Sequence, residues 1–156
     1  MTDIRIRAAT PEDRTFMFDQ AARLVAVARL PWHTERDLLA FQHRYMNAAF
    51  ARPESETASL IAEDESSQRL GFVHAEASTD SVTLEPCAYV TVLAVIAAAE
   101  GKNVATQLMA AAEDWARRQG FRLICLDVFA NNSRARAFYA KQGYQDDSLR
   151  LTKPLS

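Results

Sequence analysis

The sequence predicts an α/β (α+β) fold, with one mixed, mostly antiparallel central sheet and helices on both of its faces. Ala88 to Ile96 is a Val-rich run that is apolar on both faces, which is typical of a central strand. From Val104 apolar residues recur at helical spacing until Gly120, and a second strand-like run, Arg122 to Phe129, follows. Because a strand that leads through a helix into another strand normally returns parallel, these two strands should be parallel neighbours.

The first part of the chain predicts one strand and two helices. Residues 4–8 alternate apolar and arginine side chains, as in a strand with one buried face. Thr10-Pro-Glu-Asp13 places a cap, a proline and an acid where a helix begins, and Thr34 with Asp37 repeats this signal. We expect the first helix to continue to Ala28 and the second to end before Pro53.

The remaining strands complete the predicted sheet. Thr57 to Glu63 and Leu70 to Ala77 are separated by a polar turn and predict an antiparallel hairpin. Near the C-terminus Leu149 and Leu151 alternate with charged or polar residues, which predicts one further strand, ended by Pro154. The predicted order is β-α-α-β-β-β-α-β-α-β, and its last edge could pair with a second subunit in a homodimer.

Composition limits the possible classes of function. With 156 residues, 49% of them hydrophobic, residues 1–156 suit a single globular domain. The net charge of −2 comes from 18 basic and 20 acidic residues spread along the chain, which argues against nucleic-acid binding. No apolar run reaches about 18 residues and no signal peptide is recognisable, so we expect a cytoplasmic protein without a membrane span. Cys87 and Cys125 are isolated, and Cys125 lies in a predicted buried strand, which favours reduced thiols.

The loop from Glu100 to Leu108 joins the central strand to the following helix. A helix N-terminus presents unpaired backbone N–H groups and a partial positive charge, so such a loop can hold phosphate. Gly101 and Asn103 are the two residues here that adopt a positive φ at least cost. Taken alone, the pattern also fits an ordinary strand-to-helix turn.

Two motifs carry a resemblance to a known family. Residues 100–105 follow the pattern Q/R-x-x-G-x-G/A, except that Glu100 replaces Gln or Arg and Asn103 replaces the first Gly. The pattern L-x-V-x-x-x-N-x-x-A-x-x-F/L-Y-x-K-x-G-F/Y is filled at every specified position, by Leu126, Val128, Asn132, Ala135, Phe138, Tyr139, Lys141, Gly143 and Tyr144. In both motifs the chain resembles the GNAT superfamily of acetyl-CoA-dependent N-acetyltransferases.

The resemblance implies a fold, a co-substrate and a set of binding residues. In the GNAT fold the sheet splays between the fourth and fifth strands, and the thioester arm of acetyl-CoA lies in the gap. The resemblance implies no metal, and it gives Tyr139 the role of general acid on the departing thiolate. The implied acetyl-CoA contacts are Leu93, Ala94, Val95, Gly101, Lys102, Asn103, Val104, Ala105, Thr106, Asn132, Ala135 and Phe138.

The acceptor side is less constrained. Neither Cys lies in a nucleophile pattern with a His and an acid, so we expect direct attack by an amine in a ternary complex. Glu76, Glu85, His74 and Asp127 are candidates to take its proton, in no fixed order, although a histidine on such a strand face is more often a packed or hydrogen-bonded core residue. Because Glu76, Asp80 and Glu85 should lie near the cleft without a matching cluster of Lys or Arg, a small cationic acceptor is predicted.

Three questions stay open. The irregular phosphate loop also suits a CoA-binding module with weak or no catalysis. A nucleotide-binding α/β protein is a further alternative, although the loop lacks both the GKS/T ending of a P-loop and the G-x-G-x-x-G fingerprint. Trp32 and His33, between the first two helices, either contact substrate or form an aromatic plug in a helical corner.

Overall fold

The structure is a computed structural model that describes residues 3–155. The strands of this part of the chain are β1 (Arg5–Ala8), β2 (Thr57–Glu63), β3 (Arg69–Thr79), β4 (Pro86–Val95) and β5 (Ile124–Leu126). The α-helices are α1 (Arg14–Asp19), α2 (Ala21–Ala26), α3 (Glu35–Phe50), α4 (Val104–Arg118) and α5 (Ser133–Lys141).

All five strands form one sheet in the order β1-β2-β3-β4-β5. The first three pairings are antiparallel, and β4 pairs with β5 in parallel. The predicted α/β (α+β) class, with its mixed and mostly antiparallel sheet, is therefore confirmed. The parallel pair follows from the helical crossover through α4, as the sequence indicated.

Helix α4 covers one face of the sheet with a continuous apolar stripe. Val104, Leu108, Met109 and Ala112 are each at most 1% exposed and pack against β2, β3 and β4. Complete burial of a side chain such as Leu108 contributes about 2 kcal/mol. The two aromatic residues of α5, Phe138 and Tyr139, pack at the edge of the same cluster.

The opposite face is covered by α1 and α3. Phe72 on β3 is fully buried there, with Met46 from α3 and Met17 from α1 in the same cluster. The rings of Phe16 and Phe50 each pack against the Phe72 ring, with centroids 6.4 Å apart. Helices therefore lie on both faces of the sheet, as predicted.

A buried ionic network joins the start of α1 to the edge of the sheet. Asp13 is fully buried and accepts hydrogen bonds from Arg7 Nη1 (2.7 Å), Arg69 Nε (2.6 Å) and the backbone N–H of Thr10 (2.8 Å). Arg7 also donates to Glu63, and these bonds hold the pKa of the Asp13 carboxyl well below its usual range. Both oxygens of Asp13 are paired, so this network anchors β1, β2 and β3 to one another.

The first predicted helix is divided into two. A single helix to Ala28 was expected, but α1 ends at Asp19 and α2 runs only from Ala21 to Ala26. The side chain of Gln20 donates to the carbonyl of Phe16 (3.4 Å), which would accept the backbone N–H of Gln20 in a regular helix. The second predicted helix is confirmed as α3, with the expected Thr34–Asp37 capping box.

Two expectations for the C-terminal part are wrong. No strand follows α5 within the described residues, and Leu149 and Leu151 are 73% and 91% exposed. An alternating pattern indicates which face of a segment is apolar but supplies no partner strand to pair with it. Cys125 is exposed rather than buried. Strand β5 has only three residues and lies at the edge of the sheet, so a neighbouring strand covers its side chains on one side only.

Candidate functional site

Strands β4 and β5 part after three residue pairs. Ala88, Tyr89 and Val90 pair with Ile124, Cys125 and Leu126, whereas β4 continues to Val95. The register of β4 against β3 also shifts between His74 and Ala75, as a bulge does, and this turns the second half of β4 away from β5. The edge of β4 from Thr91 to Val95 therefore borders a gap, which is the predicted splay.

The loop after this gap has the backbone that the sequence predicted. Gly101 has φ = 74° and Asn103, directly before α4, has φ = 66°. No atom lies within 4 Å of the position that a Cβ on Gly101 would occupy, so the backbone there is open to a ligand. The free N–H groups of the first turn of α4 adjoin this loop, and together they suit an anion.

Glu100, the residue that departs from the family motif, is turned towards two arginines. Arg23 Nη2 from α2 donates to its Oε1 at 2.7 Å, and Arg134 Nη1 from α5 donates to its Oε2 at 2.8 Å. Arg23 Nη2 also donates to the carbonyl of Val95 at 3.2 Å. These arginines lower the pKa of Glu100, so its carboxylate stays charged at neutral pH.

The start of α5 adjoins the loop through the bond from Arg134 to Glu100. The side chain of Asn132 caps the helix by accepting from the backbone N–H of Ala135 at 3.2 Å. A cavity of about 260 Å³ lies between this end of α5 and α2, and Asn132 and Arg134 line it. Phe138, another predicted contact, is half-buried against the core.

The ring of Tyr139 is packed and its hydroxyl is unpaired. The rings of Phe138 and Tyr139 both pack at the edge of the same apolar cluster, with centroids 5.2 Å apart, so the helix does not turn Tyr139 away from the core. Burial raises the pKa of the Tyr139 hydroxyl to about 12, so the group keeps its proton at neutral pH. Within residues 3–155 this hydroxyl makes no hydrogen bond, in contrast to that of Tyr144, which donates to Glu113.

On the α3 face of the sheet, buried polar atoms remain without partners. His74 is 1% exposed, and its Nδ1 lies 2.6 Å from the Ser59 hydroxyl, while burial lowers its pKa to about 4. His74 Nε2, Glu76 Oε2 and Thr91 Oγ1 are buried without a hydrogen bond. His74 Nε2 and Glu76 Oε2 lie 3.7 Å apart, beside the bulge. The interpretation of His74 as a buried, hydrogen-bonded residue is confirmed.

A chain of hydroxyl groups crosses the point where the strands part. Tyr45 of α3 donates to the Tyr89 hydroxyl (3.1 Å), which donates to Asp127 Oδ2 (2.6 Å). Asp127 follows Leu126, the last residue of β5 that pairs with β4. Burial and the neighbouring carboxylate raise the pKa of Tyr89, so that it remains a donor to Asp127.

The predicted acidic cluster at the cleft is not isolated from cations. Arg52 Nη1 donates to Glu76 at 3.4 Å, and Arg122 Nη2 donates to Glu85 at 3.4 Å. Asp80 and Glu85 close the turn between β3 and β4, at the opposite end of β4 from the gap. No cluster of Lys or Arg was expected near these acids, but Glu76 and Glu85 each have one arginine, which comes from a segment distant in the chain.

Trp32 and His33 do not form an aromatic plug. Trp32 is 41% exposed, and His33 is exposed at the rim of a cavity of about 500 Å³ between α2 and α3. Sequence reasoning assigned no role to Arg23, Arg134, Tyr45 or Tyr89. Arg134 lies beside the motif residue Asn132, which was the one local signal; the others are recognised only by their contacts across the fold.

Membrane-spanning helices and metal centres are two further classes of feature. No α-helix between residues 3 and 155 combines the length and the apolar character needed to cross a bilayer. In the same part of the chain, no group of three or more His, Cys, Asp and Glu side chains is arranged to hold a metal ion.

The chain is similar to known proteins in sequence and in fold. The chain is 26% identical over 98 residues to the uncharacterized N-acetyltransferase YhfO of Bacillus subtilis (strain 168). This match covers 63% of this chain and 66% of YhfO, so the chain spans just under two thirds of the length of that relative. A putative acetyl transferase from Pyrococcus furiosus has the same fold, with a TM-score of 0.82 and 23% identity over 98% of this chain and 100% of the other.

Another structure of the same fold contains a bound ligand. The aminoglycoside N-acetyltransferase AAC(6')-Iy, in complex with CoA, has a TM-score of 0.66 and 19% identity, covering 99% of this chain and 96% of that one. The model of the Acetyltransferase (GNAT) family matches residues 18–144. Because this match spans well over half of the chain and includes the loop, the gap and the start of α5, the protein belongs to the Acetyltransferase (GNAT) family.

Proposed function

We propose that this protein transfers the acetyl group of acetyl-CoA to a primary amine of a small acceptor, by direct attack in a ternary complex. The observation that carries the proposal is the gap beside Thr91–Val95, which opens next to the loop of Gly101 and Asn103. A strand edge bordering a gap can pair with the amide groups of an extended arm. The adjoining helix N-terminus suits a pyrophosphate.

The residues present fit such a co-substrate. Strand β5 does not pair with β4 beyond Val90, and the carbonyl of Val95 accepts from the Arg23 side chain. This open edge of β4 supports pairing of the thioester arm along Leu93, Ala94 and Val95. The pyrophosphate would contact the backbone of the loop and first turn of α4. Those residues are Gly101, Lys102, Asn103, Val104, Ala105 and Thr106. Asn132, Ala135 and Phe138 would border the arm from α5.

The amine would approach from the α3 face. There, two groups could take its proton, directly or through water. Glu76 has an unpaired buried oxygen beside neutral His74, and Asp127 lies where the strands part. We retain Glu85 only as the least favoured candidate, because it closes the turn at the far end of β4. The pH dependence of kcat/KM in Glu76→Gln and Asp127→Asn variants distinguishes them, since only loss of the base removes the rise in rate with pH.

Tyr139 would supply the proton to the departing thiolate. Its hydroxyl carries a proton at neutral pH and has no competing partner within the described residues. A backbone N–H of β4 that points into the gap would polarise the acetyl carbonyl. No covalent intermediate with the protein is needed, because an amine held beside a thioester reacts in one transfer.

We propose that the acceptor is small and cationic. Asp127 supports this, because its recorded partner is the neutral Tyr89 hydroxyl, and its carboxylate can attract a protonated amine. The charge of Glu76 is offset by Arg52, which reduces the contribution of that residue. Rates with polyamines and aminoglycosides, compared with anionic amino acids, test the proposal, and a clear preference for the anionic set contradicts it.

A protein that binds CoA without transferring acetyl groups is the alternative. The positive φ of Asn103 favours the enzyme, because the loop keeps the geometry that the motif glycine would give. The test is release of free thiol from acetyl-CoA across a panel of amines, together with the mass of any acetylated product. Tight CoA binding without amine-dependent thiol release would favour the binding module.

We also propose that the protein forms a homodimer through its C-terminal side. Strand β5 is an edge strand, and the exposed Leu149 and Leu151 follow it in a segment without a sheet partner among the described residues. Pairing of this segment with β5 of a second copy would bury both leucines. Light scattering of the parent and of the Leu149→Ser/Leu151→Ser variant tests this, and an unchanged monomeric mass for both contradicts it.

A further inference from the structure

The proposed pyrophosphate loop contains a negatively charged residue where the family motif has Gln or Arg. An unpaired carboxylate beside phosphate oxygens would repel them and weaken binding. In the structure, however, both oxygens of Glu100 are bonded to guanidinium groups, from Arg23 and Arg134. These three side chains together carry one net positive charge, so the carboxylate brings cations to the loop instead of leaving a negative site there.

The two arginines come from different helices. Arg23 lies on α2, in the helical segment that covers the α3 face, and Arg134 lies in the first turn of α5. Glu100 stands between them, directly before Gly101. Arg134 also lines the cavity between α2 and α5. These three residues, the Arg23–Glu100–Arg134 bridge, therefore link α2 and α5 at the start of the loop that would hold the pyrophosphate.

Each of the two guanidinium groups has N–H donors that are unpaired within the described residues. Arg23 uses Nη2 for both Glu100 and the Val95 carbonyl, and Arg134 uses Nη1 for Glu100. A guanidinium has five N–H donors, so most of those on each arginine have no partner within residues 3–155. Unused donors of this kind suit the two-point binding of phosphate oxygens.

The Glu100 carboxylate can also be replaced as the partner of the two arginines. The side chains of Arg23, Glu100 and Arg134 are 43%, 35% and 72% exposed, and ion pairs at such exposure add little to folding stability. A ligand with phosphate groups can therefore replace the carboxylate as a partner without a large cost to the fold. Arg23 would leave the Val95 carbonyl in the same step, which frees the edge of β4 for the thioester arm.

From these contacts we propose that Arg23 and Arg134 bind the pyrophosphate of CoA, and that Glu100 holds both arginines in place until the phosphates replace its carboxylate. This inference rests on the proposed function, because it assigns residues within that same binding site. Glu100 is a positioning residue in this scheme, and it compensates for the missing Gln or Arg of the motif.

The test is calorimetric titration with CoA and with 3'-dephospho-CoA, which keeps the pyrophosphate and lacks the 3'-phosphate. Arg23→Gln and Arg134→Gln should each raise Kd about tenfold, towards the low end of the contribution of a charge-assisted hydrogen bond. The loss should be equal for the two ligands, because both contain the pyrophosphate. The slope of log Kd against log salt should also decrease in both variants.

Glu100→Gln separates the positioning role from simple repulsion of phosphate. The amide keeps one acceptor oxygen and cannot pair with both guanidinium groups, so loss of positioning should raise Kd for CoA several-fold, whereas simple repulsion by the carboxylate predicts a lower Kd and would overturn the positioning role. The melting temperature should stay within a degree or two of the parent, because the bridge is exposed. Arg118→Gln is the matched control: it removes one positive charge from the far end of α4, about 20 Å away, and should leave Kd unchanged.

The outcomes separate this inference from the proposed function. If the parent binds CoA but both arginine variants bind it as tightly as Arg118→Gln does, the bridge has no part in phosphate binding and the inference is wrong. A loss seen with CoA and absent with 3'-dephospho-CoA would assign the arginines to the 3'-phosphate and overturn the pyrophosphate assignment. If the parent binds neither ligand, the proposed function itself fails.

Discussion

Asp13 and Glu76 are both acids with an arginine beside them, and they differ in how completely their oxygens are paired. Asp13 accepts from Arg7, Arg69 and the backbone of Thr10, so neither of its oxygens lacks a donor. Glu76 accepts one long bond from Arg52, and its other oxygen is buried without a partner, 3.7 Å from His74 Nε2.

The difference separates a structural group from a candidate functional one. A fully paired buried carboxylate holds strands together and offers nothing to a ligand, whereas an unpaired buried atom costs stability that the fold must recover elsewhere. The unpaired atoms of His74, Glu76 and Thr91 collect beside the bulge where β4 leaves β5. Polar groups of an acceptor, or the water it displaces, would satisfy them.

The largest expected effect tests the paired side of this comparison. Asp13→Asn should lower the free energy of unfolding by about 3 kcal/mol or more, because Arg7 and Arg69 lose their common buried counter-charge. Since the folded-state pKa of Asp13 is depressed, its stabilisation is complete above about pH 4 and is lost as the pH falls further. Urea denaturation at pH 7 and pH 3 measures both effects.

The matched control for that variant is Asp19→Asn, at the exposed end of α1. It should change stability by less than about 0.5 kcal/mol at either pH. Equal losses in the two variants would show that Asp13 is no more important than a surface acid, and the contrast with Glu76 would fail.

The second effect is the pH dependence of stability caused by His74, which has an unpaired buried nitrogen. Burial lowers the folded-state pKa of His74 from 6.5 to about 4, so the unfolded chain binds the proton more tightly. Stability from this residue is therefore complete above about pH 6.5 and should fall by up to about 3 kcal/mol as the pH drops to 4. His74→Gln should remove this part of the slope in denaturation curves, whereas His33→Gln, at an exposed histidine, should retain it.

The third effect moves from stability to catalysis. Tyr139→Phe should lower kcat by roughly 10- to 100-fold, since a thiolate already leaves readily and general acid help is modest. Acetyl-CoA affinity and stability should change little, because the ring is retained. Tyr144→Phe is the control: it removes a neighbouring hydroxyl that is already bonded to Glu113, so its kcat should stay near the parental value. Parental rates for Tyr139→Phe across the pH range would leave that residue with packing alone.

The smallest effect tests the loop. Asn103→Gly should leave acetyl-CoA affinity unchanged or improve it. Asn103→Val should lower the free energy of unfolding by about 1–2 kcal/mol and weaken binding, because a β-branched residue is strained at φ = 66°. Gly101→Ala should cost about 1 kcal/mol for the same conformational reason, since no atom crowds its Cβ. Parental affinity in both Asn103 variants would contradict a role of the loop in phosphate binding.

Much of the fold was predictable because its signals are local. The stripe of α4, the capping of α3 by Thr34 and the positive φ of Asn103 all depend on residues within a few positions of one another. The predictions were wrong where a distant partner, or a side chain that competes for a backbone hydrogen bond, determines whether a strand or helix forms. Among residues 3–155 the strand expected around Leu149 has no neighbour to pair with, and Gln20 divides a helix whose apolar spacing is regular.

The sequence by itself determined the family, the strand-loop-helix unit and the positive-φ residues of the loop after β4, because periodicity, caps and motif spacing are short-range properties. Only the tertiary structure decided which side chains from distant parts of the chain contact these local elements. Arg23 reaches Glu100 across 77 residues, and Tyr89 reaches Asp127 across 38, so neither contact leaves a local trace. Such pairs form because strand order and helix packing bring their backbones together, which no spacing along the chain specifies.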